Sequence, residues 1–268
     1  MSQPAAQALD DLSFDLVESD GEPLDSNWER IQMNLLIDVI RQAMAERGRT
    51  DFFTGGNMFI YHSLEQARDV ARGRPYLRGP DVFFVGGVED HDRNVWTSWR
   101  EGGRLPEVIV ELLSPSTAKI DRTTKRDFYA RIFRTPEYFL YEPRTEELDG
   151  LRLAGDVYVP LLPDAEGRIW SEKLGLKLGL WRGLRTGVET TWVRLFEPSG
   201  RLIPTAEEAE RQRAEAEHRR AEAADARAEA ADARAEAEHR RAEAERQRAE
   251  TAEAELARLR AQLEGTES

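Results

Sequence analysis

The 268-residue chain contains no cysteine. That excludes a disulfide scaffold and a cysteine-ligated zinc site. No stretch approaches the roughly 20 consecutive apolar residues that a membrane-spanning helix needs. Met1 to Asp20 is polar and acidic, with neither a basic n-region nor an apolar core, so no secretory signal is expected there. The cytoplasm is the expected setting. Excess positive charge is missing too: the formal net charge is −13. From Thr205 onward the chain carries 16 Glu, 2 Asp and 12 Arg, a balance of −6, which leaves −7 on the remainder. The global field of such a protein does not steer it to nucleic acid, so any such contact requires a local basic groove or bound metal ions. Histidine is scarce. His218 and His239 lie in the C-terminal repeat, and His62 and His91 have no ligand-like spacing. Lysine is scarcer than arginine: before Thr205 there are 22 Arg but only Lys119, Lys125, Lys173 and Lys177.

The order of elements predicts an α/β body with a mixed sheet and helices packed on it. Residues 1–24 form a polar lead-in, 25–204 the body and 205–264 one long helix. Ser26-Asn27-Trp28-Glu29 has capping-box spacing. Trp28, Ile31, Leu35, Leu36, Val39 and Ile40 then recur at helical spacing, predicting an amphipathic helix that ends near Gly48. Strand-like residues run from Phe52 to Tyr61, interrupted by Gly55-Gly56, and again over Val82–Val85. Gly86-Gly87 opens a loop holding Trp96 and Trp99. Glu107–Leu113 is the strongest strand signal. It is broken by Ser114-Pro115-Ser116-Thr117, after which Asp121 is placed to cap a helix running to about Arg134. Further strands are expected at Tyr138–Tyr141, Val157–Leu162 and Thr191–Phe196.

The C-terminal segment is a heptad array. Blocks beginning Ala-Glu-Ala start at Ala214, Ala221, Ala228, Ala235 and Ala242, and two more heptads follow from Ala249 and Leu256. Leu256, Leu259 and Leu263 fall at a, d and a. Ala, Glu and Arg all favour helix. The alanine seam is thin and several d positions are Glu (Glu217, Glu238, Glu245), so two readings stay open: weak self-association, and a solitary helix held by Glu/Arg pairs at i,i+4.

Three residues of the body carry chemistry: Asp81, Glu111 and Lys125. Glu111 lies inside a strand that is apolar on both faces, where a carboxylate is costly unless paired or bound to metal. An ion pair with an arginine would satisfy it equally. Asp81 stands at a strand entrance. Lys125 begins the apolar stripe of its helix, with Tyr129 at i+4 and Ile132 at i+7, although snorkelling along the helix edge would also account for it. Together, two carboxylates suit Mg²⁺, which keeps several waters, and an ammonium can meet charge developing on a phosphate.

Gly79-Pro80-Asp81-Val82, then Pro106-Glu107-Val108-Ile109-Val110-Glu111-Leu112-Leu113-Ser114-Pro115-Ser116-Thr117, then Asp121, Lys125, Tyr129 and Pro136-Glu137-Tyr138-Phe139, resemble the Uma-two family, a branch of the PD-(D/E)XK nuclease superfamily. Gly56–Tyr61 and Leu174-Gly175-Leu176 belong to the same resemblance, which covers roughly residues 25–205. It implies a restriction-endonuclease-like α/β core, with Asp81 and Glu111 as ligands of Mg²⁺ or Mn²⁺ and DNA as substrate. The superfamily usually places its lysine two residues after the second acid, a position held here by Leu113. The family carries it on the following helix, which points to Lys125. Ser114 is expected to serve as a turn residue, Tyr129 as a packed aromatic and Glu29 as a cap. The expected function is thus a metal-dependent endodeoxyribonuclease. The alternative is a catalytically inactive nuclease-fold module that oligomerises or docks a partner through residues 205–264.

Overall fold

The computed structural model describes residues 14–18, 26–74 and 79–264, with side chains described to residue 258. Most of the polar lead-in, and the side chains of Leu259 and Leu263, lie outside the described residues. The chain forms two compact units, residues 1–207 and 208–268.

Helix α1 (Asn27–Glu46) begins on the expected capping box: the Ser26 hydroxyl accepts from the Glu29 N–H and the Glu29 carboxylate accepts from the Ser26 N–H. Its buried stripe includes Leu35, Leu36, Val39, Ile40 and Met44, as the apolar spacing predicts. Strands β1 (Phe52–Gly55) and β2 (Ile60–Tyr61) flank Gly56-Asn57. A short helix α2 (Leu64–Ala71), absent from the sequence-based expectation, follows. It is eight residues long and buries only Ala67.

Strands β3 (Val82–Gly86), β4 (Trp96–Thr97) and β5 (Val108–Leu112) precede the helical segment α3, residues 118–133. Then come β6 (Glu137–Glu142), β7 (Glu147–Ala154), β8 (Val157–Pro160), β9 (Ile169–Ser171), β10 (Leu176–Arg185) and β11 (Val188–Phe196). The main sheet has the order β1-β3-β5-β6-β7-β8. It is mixed: β5 and β6 are parallel, joined through α3, and the other neighbours are antiparallel. Strands β9–β11 form a separate three-stranded sheet, and β2 pairs with β4.

Both faces of the main sheet are covered, which is why β3 and β5 are buried along their whole length. On one face Val82, Phe84, Val110 and Tyr141 pack with α1 and with Leu178, Trp192 and Leu195 of the smaller sheet. On the other, Phe83, Ile109, Leu113, Tyr138 and Leu140 pack with Tyr129 and Phe133 of α3. Residues 14–18 are not merely polar lead-in: Phe14, Leu16 and Val17 pack beside Phe59 and Tyr61, and the Tyr61 hydroxyl donates to the Val17 carbonyl at 2.8 Å.

The second unit consists of helix α4, which spans Ala206–Glu264 and is almost entirely exposed along its described side chains. At 1.5 Å per residue it is about 90 Å long. His218–Glu222 and His239–Glu243 approach to 3.3 and 3.6 Å as i,i+4 pairs. Leu256 is 55% exposed. No helix among the described residues is long and apolar enough to cross a membrane.

Candidate active site

Register brings the two acids together. Val82 of β3 pairs with Val110 of antiparallel β5. One step further along each strand, Asp81 therefore stands beside Glu111, at the end where β3 enters and β5 leaves the sheet. The Asp81 N–H donates to Glu111 Oε2 at 3.3 Å, and the Leu112 N–H donates to Asp81 Oδ2 at 2.6 Å.

The loop carrying Asp81 is pinned from beneath. A Cβ on Gly79 would lie 1.9 Å from the Met58 carbonyl oxygen, and one on Gly56 would lie 2.0 Å from that of Asp81. Only glycine permits these backbones to cross. Asn57, between them, takes a left-handed φ of 49°, and its N–H donates to the Pro80 carbonyl at 3.0 Å.

Segment α3 supplies the rest. It is not the regular, Asp121-capped helix that the sequence predicts. It starts at Ala118, and Asp121 lies inside it, 1% exposed. Two π-helical turns, Asp121–Lys125 and Tyr129–Phe133, flank one short α-helical stretch. An α-helix advances about 100° per residue, so side chains four apart drift about 40° per step. The wider π turns offset that drift. Asp121, Lys125, Tyr129 and Phe133 consequently share one buried face, while Ile132, expected on the stripe, is 45% exposed. Turns of this kind inside α-helices are frequent at functional sites.

Lys125 Nζ lies 3.1 Å from Glu111 Oε1 and 2.9 Å from Asp121 Oδ1. The approach to Asp121 Oδ1 is an ion contact rather than a directed hydrogen bond, since that oxygen has no hydrogen-bond partner of good geometry. The Tyr129 hydroxyl donates to Glu111 Oε1 at 2.9 Å, and the Tyr138 hydroxyl donates to the Asp121 carbonyl at 2.9 Å. Glu111 is fully buried and Lys125 is 6% exposed. The structure thus joins Asp81, Glu111 and Lys125 in one cluster. It adds Asp121, which reads as a cap in the sequence, and Tyr129, which reads as packing. Their common signal is the four-residue spacing through Lys125. Ser114 remains a turn residue: its side chain meets Ser116 and Thr117, and the Thr117 N–H donates to Ser114 Oγ.

Burial pushes the Glu111 carboxyl well above the ordinary carboxylate range. Lys125 opposes that rise, while Asp81 and Asp121 add to it. Burial likewise raises Asp81, against the pull of Lys125 and the Leu112 N–H. For Lys125 burial acts downward, but Glu111, Asp121 and Asp81 outweigh it and raise the ammonium above its ordinary value. The surrounding carboxyls thus favour the charged form of Lys125.

The body is thus an α/β protein whose mixed sheet, flanked by helices, gathers an acid pair and a lysine at one end. The profile of the Uma2 family, described as "Putative restriction endonuclease", matches residues 16–187, and the chain belongs to that family. Among solved structures, a putative nuclease belonging to DUF820 from Anabaena variabilis ATCC 29413 is similar at 13% sequence identity over 59% of this chain and 81% of that one, with a TM-score of 0.38. No curated protein matches.

The donors at the site are carboxylate and hydroxyl oxygens. That set fits a hard cation such as Mg²⁺, which binds through one or two carboxylates and keeps waters. Among the described residues no group of three or more His, Cys, Asp or Glu is arranged to hold a metal ion. A cation here would depend on the Asp81–Glu111 pair and on water.

Proposed function

We propose that the body, residues 25–204, is a metal-dependent endodeoxyribonuclease of the PD-(D/E)XK type. Asp81 and Glu111 hold Mg²⁺ or Mn²⁺, and Lys125 acts on the scissile phosphate. The observation carrying this reading is the buried contact of Lys125 with Glu111, which itself accepts the Asp81 N–H. When bound, the cation supplies Lewis acidity and a water of lowered pKa.

The protein groups have separate tasks. Asp81 and Glu111 would supply carboxylate oxygens to the cation where β3 enters and β5 leaves the sheet. Tyr129 and the Asp81 N–H orient the two Glu111 oxygens. Lys125 keeps its proton and stabilises negative charge on the phosphate as that charge develops. Asp121 holds the ammonium on the site side of α3. Supercoiled plasmid incubated with Mg²⁺ or Mn²⁺ tests the reading. Cleavage by the wild type, lowered at least about a hundredfold in Asp81→Ala and Lys125→Ala, is expected for loss of a group acting on transition-state charge. Equal activity in all three proteins would overturn the site.

The absence of a three-donor group among the described residues favours a second reading, a nuclease-fold module without catalysis. Titration calorimetry separates the two: millimolar Mg²⁺ or Mn²⁺ binds the wild type but not Asp81→Asn if the first is right, and binds neither if the second is. On either reading, residues 205–264 serve as an assembly arm through their heptad seam, raising the local concentration of a second body.

A further inference from the structure

A cavity of about 420 Å³ opens at the β7 side of the main sheet: Arg122, Arg126, Leu140 and Leu151 line it from the face that carries Glu111, and Leu148, Leu161 and Ile169 from the other. Its position follows from register. Glu111 pairs with Leu140 on β6, and Leu140 with Asp149 on β7, so the three share a row and a face. Adjacent strands are about 4.8 Å apart, which puts the cavity lining at Leu140 and Asp149 about 5 and 10 Å along the sheet from Glu111.

Segment α3 serves both places. Asp121 and Lys125 turn toward Glu111, and the residues following each, Arg122 and Arg126, line the cavity. Arg122 donates to Asp149 Oδ2 at 2.9 Å. Arg126 contacts its neighbour Asp127 at 3.8 Å, too far for a hydrogen bond, and its side chain is 46% exposed. Most of the remaining lining is aliphatic, including Leu151, Leu161 and Pro163. The size lies within the range of small-molecule sites.

An apolar floor with the half-exposed Arg126 guanidinium beside it suits a flat heterocycle carrying an anion. The acidic body otherwise offers nucleic acid an unfavourable field, and with Lys119 these arginines make α3 locally basic. We propose that the cavity is a nucleotide subsite. It seats the base next to the scissile phosphodiester in an unpaired strand, with Arg126 on that nucleotide's phosphate, while Arg122 stays paired with Asp149. The proposal rests on the endonuclease reading for its neighbour and narrows the substrate to single-stranded or locally unpaired DNA. A base stacked in a duplex cannot enter without being extruded.

The test uses the full chain in EDTA, where cleavage is halted. Fluorescence anisotropy compares a labelled single-stranded oligodeoxynucleotide with the matching duplex, and unlabelled dAMP serves as competitor. The wild type is expected to bind the single strand at least about tenfold more tightly than the duplex, since entry from a duplex requires unpairing. Arg126→Glu, and separately Leu161→Trp, which fills the cavity, should each weaken the single strand about tenfold while leaving the melting temperature unchanged. Competition by dAMP supports occupation by the strand's own nucleotide. Binding of dAMP by a chain with no strand affinity would overturn the strand and assign a free nucleotide. Equal wild-type affinity for the two DNA forms, or single-strand binding untouched in both variants, would overturn the subsite. Plasmid cleavage keeps the two ideas apart. Intact single-strand preference without cleavage sinks the nuclease and keeps the subsite, whereas cleavage without that preference does the reverse.

Discussion

The ammonium of Lys125 and the carboxylate of Glu111 meet at 3.1 Å, although 14 residues and a strand-to-helix turn separate them. The pair is buried, and Asp121 stands on the other side of the ammonium. Removing the ammonium leaves two buried carboxyls without their shared cation, a cost relieved in part by protonation of Glu111, so Lys125→Ala should cost about 1–3 kcal/mol. Urea unfolding measures it. A loss below about 1 kcal/mol, the worth of an exposed pair, would contradict the burial.

Glu111 should also make stability depend on pH. Its folded pKa is raised, chiefly by burial. Folding therefore retains a proton that the unfolded chain releases. The associated stability is fully present below the ordinary glutamate range and is lost as pH rises through the raised value. Measured without divalent metal, the wild type should lose stability relative to Glu111→Gln as pH rises above the ordinary glutamate range. Parallel stability curves for the two proteins would remove Glu111 as the cause.

The crossing beneath Asp81 makes Gly79 intolerant of a side chain. Because a Cβ would sit 1.9 Å from the Met58 carbonyl, backbone rather than a flexible side chain must shift. Gly79→Ala should destabilise by about 1–3 kcal/mol, as overpacking does. It should also weaken Mg²⁺ binding by displacing Asp81. Thermal melts and calorimetry on one variant read both effects, and wild-type values in each would refute the pinning.

The long helix gives a prediction about mass. Truncation after Glu207 is expected to lower the oligomeric state seen by light scattering while the body keeps its cooperative melt. Leu256 is the described a-position leucine. The same stoichiometry for full-length and truncated chains would leave α4 as a solitary helix.

Much of this architecture was legible in sequence because it rests on local rules. The capping box and apolar spacing of α1 depend on neighbours three and four residues apart, and the structure keeps both. The continuous apolar run around Glu111 could belong only to a strand covered on both faces. Helix α2 escaped because eight residues span little more than two turns, too short for an apolar repeat to stand out.

Segment α3 shows where local rules stop. Asp121 has the residue type and placement of an N-cap, and Ile132 has α-helical spacing from Lys125. Both expectations assume 3.6 residues per turn. The π turns change that period and bury Asp121, while Phe133 takes the inward place and Ile132 is left half exposed. The altered period puts four residues on one buried face, from which Lys125 and Tyr129 reach Glu111, and no local preference of the segment announces it.

By itself, then, the amino-acid sequence determined the α/β class, the repeat-built helix and the candidates Asp81, Glu111 and Lys125. The class and the helix follow from periodicity and composition and Glu111 from the cost of a charged group in an apolar run, whereas Asp81 and Lys125 were joined to it by the family resemblance. Tertiary structure alone decided that Asp81 stands beside Glu111, that Asp121 and Tyr129 join Lys125 around it, and that a cavity opens two strands away. Those relations depend on antiparallel and parallel register between strands distant in sequence, and a one-residue change in register would reverse which face every side chain occupies.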